Sequence, residues 1–277
     1  MMKCEQKSEK TDIPVAIAGL GAIGRKVAQR LDEGIPGLRL TAVSARNFER
    51  AEAIVAKYRN SVLIAPVEKL TEYAKIVIEC VPAEIFTKVA EPVVRAGQTL
   101  VVISVGALIA HPEISELAKE TGARIIVPTG ALLGLDAVRA AAEGKIESIR
   151  MITRKPPIGL VGAPFLIEHG IDLRGITEPL KLFEGSAREA VKGFPANLNV
   201  AAALSLAGIG PDQTIIEIWA DPRLTRNTHT IEVVSDSAEF NMTIANIPSE
   251  NPKTGKITAL SIIAALRKLG ASVCIGT

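Results

Sequence analysis

From Ile13 onward the chain alternates short β-branched apolar runs with longer segments whose apolar residues recur at helical spacing. PVAIAGL reads as a buried strand, AIGRKVAQRLDEG as a helix stopping at Gly34, LRLTAVSA as a second strand and FERAEAIVAKY as a helix with Ala, Ile and Val on one face. SVLIAP, AKIVIECVP, TLVVISVGAL and ARIIVPTG are predicted as further strands, with helices over AEIFTKVAEPVVRAG and HPEISELAKETG. This alternation implies parallel strands joined by crossover helices in a doubly wound sheet. After about Pro128 the rhythm changes. LLGLDAVRAAAEG, SAREAVKGF and NVAAALSLAG read as helices, while SIRMITRKP, TIIEIWADP, THTIEVVSD and AEFNMTIANIP alternate in and out like strands of a half-buried sheet. Lys256 to Gly270 reads as an amphipathic helix.

The expected architecture is therefore α/β: a doubly wound parallel sheet, then an α+β domain with a mixed, largely antiparallel sheet. The boundaries predicted are a loose tail over residues 1–12, a first domain over 13–130, a second over 131–250, and a C-terminal segment over 251–277 whose helix returns to pack on the first domain. Composition narrows the function. Lys and Arg number 32 against 30 Asp and Glu, a net charge of +2, which gives no reason to expect a nucleic-acid surface or a polybasic membrane patch. Aromatics at 3% argue against a base-stacking platform. The longest apolar stretch, Leu100 to Ala110, is broken by Ser104 and Gly106 and falls far short of the roughly 20 residues of a spanning helix. Cys4, Cys80 and Cys274 form no CxxC pair, and the polar opening MMKCEQKSEKTD has no apolar core segment, so a cytoplasmic location is expected. No histidines or cysteines show ligand spacing, and no metal is expected.

The strongest motif is Gly19-Leu20-Gly21-Ala22-Ile23-Gly24, between a strand and a helix. That context gives a GxGxxG pattern its meaning as a Rossmann-type dinucleotide turn. Gly19 allows the tight turn, Gly21 lets the backbone approach a pyrophosphate, and Gly24 lets helix and strand pack. The phosphates would sit on the free N–H groups around Ala22 and Ile23, at the positive end of the helix dipole. At the end of the second strand, Ser44-Ala45-Arg46-Asn47 carries no acid to accept the ribose 2′-OH. Arg46 could pair with a 2′-phosphate, so NADP is expected to serve at least as well as NAD; the plainer alternative is an exposed arginine. Cys80-Val81-Pro82 closes a parallel strand where such strand ends line the cofactor crevice. Cys80 could be a reactive thiol or a small buried residue.

Three histidines can act as acid or base near neutral pH: His111 at a helix start, His169 in a turn-like stretch, and His229 at the start of a second-domain strand. Position favours His229. From about Ile13 to Lys268 the chain resembles the L-aspartate dehydrogenases. The matching segments are VAIAGLGAIG from Val15, Pro128-Thr129-Gly130-Ala131 with Gly134-Leu135-Asp136, and Thr153-Arg154-Lys155-Pro156-Pro157. They continue through FPANLNVA from Phe194, Asp221-Pro222, Asn227-Thr228-His229 and Asn251-Pro252-Lys253-Thr254. The resemblance implies oxidation of L-aspartate to iminoaspartate, which hydrolyses to oxaloacetate and ammonia, with NAD or NADP. It places the catalytic histidine at His229 and dinucleotide contacts at Ala131 and Asn199. Asn199 could equally cap helix N–H groups, and Asn197 is a rival if the alignment slips by two. Lys155 and Arg154 are candidates for the substrate carboxylates, or ordinary surface charges. A homodimer is expected by analogy of fold. Two other readings remain: a homoserine dehydrogenase-like enzyme of another small amino or oxo acid, or a non-catalytic dinucleotide sensor.

Overall fold

The computed structural model describes residues 12–195, 198–250 and 255–276. Nearly all of the predicted N-terminal tail, together with Asn197 and residues 251–254, lies outside them. The first half contains β1 (Ile13–Ala18), α1 (Ala22–Glu33), β2 (Leu38–Ser44), α2 (Phe48–Val55), β3 (Leu63–Ile64), β4 (Ile76–Glu79), α3 (Phe86–Arg95), β5 (Thr99–Val102), α4 (Val105–Ala110), α5 (Pro112–Thr121) and β6 (Arg124–Ile126). Its six strands are all parallel, in the order β3-β2-β1-β4-β5-β6. The order reverses beside β1, which opens a crevice at the carboxyl ends of β1 and β4.

Parallel strands are buried on both faces, which is why these runs are continuously apolar. Val15 and Ile17 pack with Leu31 of α1 on one face, while Ala16 and Ala18 pack with Phe86, Val89 and Val93 of α3 on the other. TLVVISVGAL is not a single strand. β5 stops at Val102 and Val105–Ala110 forms α4. Both pieces are buried, so no change of periodicity marks the switch.

The second half contains α6 (Leu135–Ala142), β7 (Ile146–Lys155), α7 (Pro164–Glu168), β8 (Leu180–Ser186), α8 (Ala187–Gly193), α9 (Asn199–Ala207), β9 (Ile215–Ala220), β10 (Asn227–Ser235), β11 (Glu239–Asn246) and α10 (Ile257–Gly270). Its sheet runs β11-β10-β7-β9-β8, with β7 and β9 parallel and the other pairs antiparallel. The edge strand β8 is not among those the sequence predicts. Only Leu182 in it is buried, so LKLFEGS shows no alternation.

Ile149 and Met151 of β7 and Ile231 and Val233 of β10 face the same core, which runs on through α9 and α4 into the α3 side of the first sheet. α10 returns to the first half, where Ile262 and Leu266 pack with Val15, Ile17 and Leu31.

Candidate active site

The glycine turn has the geometry a pyrophosphate needs. Gly19 sits at φ +98, and a Cβ there would lie 2.5 Å from the Cys80 carbonyl oxygen. A Cβ on Gly24 would collide with the Gly19 carbonyl. A Cβ on Gly21 would meet nothing within 4 Å, so the space in front of it is open. Gly21 is also the N-cap of α1, with no side-chain cap and no acid in the first turn. Two glycines thus close the turn onto the sheet, and the third leaves the helix N-terminus bare for an anion. These residues fit a dinucleotide.

Beside the turn, Glu79 ends β4 fully buried. Its carboxylate accepts from the Val81 N–H at 2.9 Å, the Ile103 N–H at 3.0 Å, the Ser104 N–H at 2.8 Å and the Ser104 hydroxyl at 2.9 Å. It thereby staples the carboxyl ends of β4 and β5 together. Burial pushes the Glu79 carboxyl up, and these hydrogen bonds pull the other way. Burial, with the Glu79 charge next to it, pushes the Cys80 thiol well above its ordinary value. A thiol held protonated is a poor nucleophile, and the Cys80 side chain is partly buried against the core beneath α1. Val81 Cγ1 lies against Gly19, and Pro82 starts the turn into α3.

Facing the carboxyl edge of the first sheet is a partly open cleft. Ile23, Val102, Val105 and Ala131 form part of one wall, and Lys155, Asn199, Asn227, His229 and Asn246 part of the other. Strand periodicity explains the second wall. The inner face of β7 runs Ile149, Met151, Thr153, Lys155, and that of β10 runs Asn227, His229, Ile231, Val233. The strands are antiparallel with Thr153 opposite His229, so the polar ends of both inner faces coincide at the cleft. His229 is 3% exposed and Lys155 2%. His229 Nδ1 lies 3.2 Å from Thr153 Oγ1. Burial above all, and then the Lys155 charge, lower the imidazole's pKa from 6.5 to about 3, so the ring is neutral at neutral pH. The hydroxyl fixes the orientation of the ring, and in the tautomer whose Nδ1–H donates to Thr153 the Nε2 atom carries the lone pair.

The remaining predicted residues fall as follows. Asn199 lines the cleft while its Oδ1 accepts the Gly106 N–H at 3.0 Å, tying α9 to the first turn of α4. It caps a helix, though not its own. The Ala131 carbonyl accepts from Asn246 Nδ2 at 2.8 Å. Arg46 is exposed after β2 and makes no ion pair with a described residue. Arg154 does not reach the cleft. Strand alternation turns it to the opposite face, where it stacks on Trp219 at 4.4 Å and faces Asp221 at 3.9 Å. His111, half-buried, pairs with Glu113, and the exposed His169 stacks on Phe165; neither lines the cleft. Sequence reasoning missed Glu79, Thr153, Asn227 and Asn246. The readable signal for Thr153 and Asn227 was a polar residue on the core-facing register of a strand. Among the described residues no acidic, histidine or cysteine cluster could hold a metal ion, and no helix is long and apolar enough to cross a membrane.

A glycine turn built for a dinucleotide, facing a buried imidazole and a buried lysine across one cleft, marks an α/β dehydrogenase. The family model described as "Aspartate dehydrogenase, C-terminal" matches residues 136–269, and "Homoserine dehydrogenase, NAD binding domain" matches residues 19–128. The chain is 56% identical over 271 residues to L-aspartate dehydrogenase 3 of Bordetella bronchiseptica, covering 98% of this chain and 100% of that protein. It is 55% identical to the L-aspartate dehydrogenase of Bradyrhizobium diazoefficiens, covering 98% and 96%. The crystal structure of aspartate dehydrogenase from Thermotoga maritima matches with a TM-score of 0.70 at 25% identity, covering 95% of this chain and 99% of that one. The chain belongs to the L-aspartate dehydrogenase family.

Proposed function

We propose that this enzyme oxidises L-aspartate to iminoaspartate with NAD or NADP, and runs the reverse reductive amination of oxaloacetate. The observation that carries this reading is the neutral, buried His229 beside Lys155, both facing the carboxyl edge of the dinucleotide-binding sheet. Gly19, Gly21 and Gly24 with the α1 N-terminus would hold the pyrophosphate, and Ala131 and Asn199 would flank the nicotinamide half. When bound, the nicotinamide ring supplies the two-electron acceptor for the substrate Cα hydride. Lys155 supplies a positive charge for one substrate carboxylate. His229 takes the proton that the substrate ammonium must lose before its nitrogen lone pair can form the C=N bond. A positioned base of this kind contributes about 10²–10⁴-fold. Thr153 holds the imidazole by Nδ1, which leaves Nε2 for the substrate. Burial above all leaves the free ring unprotonated but weakly basic, so the proton transfer relies on the bound dicarboxylate, which offsets the Lys155 charge and raises the basicity of His229.

The deciding experiment follows NADH and NADPH oxidation with oxaloacetate plus ammonia, against other 2-oxo acids and against homoserine in the forward direction. Turnover confined to the four-carbon diacid is expected, and a protein that binds the nucleotide yet turns over none of these would sink the reading. With Arg46 exposed and no acid beside it, comparable kcat/KM is expected for the two cofactors. The half-exposed face of the second sheet, with Trp219, Arg150 and Glu217, is the proposed twofold contact of a cytoplasmic homodimer, which light scattering on the eluted protein tests.

A further inference from the structure

Asn246 ends β11 and is 3% exposed. Its Nδ2 donates to the Ala131 carbonyl at 2.8 Å. Because a carbonyl can only accept, that bond fixes the orientation of the amide. Oδ1 must point the other way, and there, among the described residues, it has no hydrogen-bond partner although it is buried. A buried acceptor left unsatisfied is uncommon and costly, and calls for a partner that this structure does not contain. Asn246 lines the cleft, and so does Gly255 beside it. A Cβ on residue 255 would sit 3.1 Å from both the Cβ and the Oδ1 of Asn246, so a glycine there lets the chain lie close along this side chain without crowding it. An oxygen acceptor repels the substrate carboxylates and accepts from a donor.

We propose that Asn246 is a ligand-contacting residue of this cleft, its Oδ1 accepting an N–H hydrogen bond from the bound reactants. This rests on the functional reading above. Two reactant groups carry that chemistry, the carboxamide of the nicotinamide and the amino group of the amino acid. The second role of the residue, holding Ala131, belongs to Nδ2 and is separable.

The test is calorimetric, on the full chain and on Asn246→Ala, once wild-type turnover of aspartate has been measured. One arm compares NAD with its 3-acetylpyridine analogue, which lacks the carboxamide N–H. The other compares aspartate with succinate, which lacks the amino group, each on the NADH complex. In one arm the variant is expected to lose about tenfold in affinity for the N–H-bearing ligand and little for its counterpart, so that the wild-type discrimination collapses. The arm that responds identifies the donor. Asn246→Asp, which keeps an acceptor oxygen and loses the bond to Ala131, is expected to retain the discrimination. Ratios unchanged in both arms for Asn246→Ala would leave only the link to Ala131 and overturn the proposal. A wild-type ternary complex decides without any variant: a reactant nitrogen about 3 Å from Oδ1 supports it, and a partner-less Oδ1 in that complex overturns it. A wild-type chain that ignores aspartate sinks the functional reading instead, so the two failures are distinct.

Discussion

Glu79, at the end of β4 beside the glycine turn, and His229, lining the cleft, are both polar and both buried, yet they do different work. The Glu79 carboxylate accepts from three backbone N–H groups and a hydroxyl, all from the ends of β4 and β5. Nothing is left over for a ligand. His229 has one ring nitrogen on Thr153, and among the described residues its other nitrogen has no hydrogen-bond partner. Burial alone does not separate a structural polar group from a functional one; spare hydrogen-bonding capacity at a cavity does.

The sharpest way to break this contrast is to remove the imidazole. His229→Ala is expected to lower kcat with aspartate by about 10²–10⁴-fold, while calorimetry shows NAD binding and a melting temperature close to wild type. Near-normal kcat would remove His229 from the chemistry. Lys155→Met should weaken aspartate binding by about 10- to 100-fold, the worth of one buried charge-assisted contact, read as a rise in KM. Glu79→Ala should act on the fold instead. Leaving buried N–H groups unpaired costs about 3 kcal/mol, or roughly 6–12 °C in Tm for a chain of this size. A Glu79→Ala protein as stable as wild type would contradict the staple.

The pH dependence sharpens the picture. Folding holds His229 at about 3 against an ordinary 6.5. As pH falls through that window the unfolded chain binds a proton that the native one refuses, so stability is lost, by up to about 1.4 kcal/mol per pH unit from this residue. Urea melts at a series of pH values should show a shallower slope in His229→Gln. Arg154→Ala carries the smallest expected effect, about twofold or less on kcat/KM, because its guanidinium lies on the far face against Trp219.

Much of the first half was legible because it is written locally. Continuous apolar runs mark β1 and β4, and the glycine turn needs only six adjacent residues. The site in the second half is written across strands. Thr153 and His229 meet because β7 and β10 pair in one register, which neither segment carries alone. Alternation within TRKPP could have separated Lys155 from Arg154, since neighbours on a strand point to opposite faces. Glu79 was hidden for another reason. It reads as an ordinary strand-end acid until the β5 terminus, distant in sequence, is seen to supply its donors.

The position of α10 sets a timetable for the molecule's birth. Residues 257–270 shield a face of the sheet that is built from the first part of the chain. While the ribosome is still translating, Val15 and Ile17 lack that shield, and the apolar flank stays open to chaperones or to neighbouring nascent chains. Until residues 257–270 have been made, that flank is covered by α1 alone.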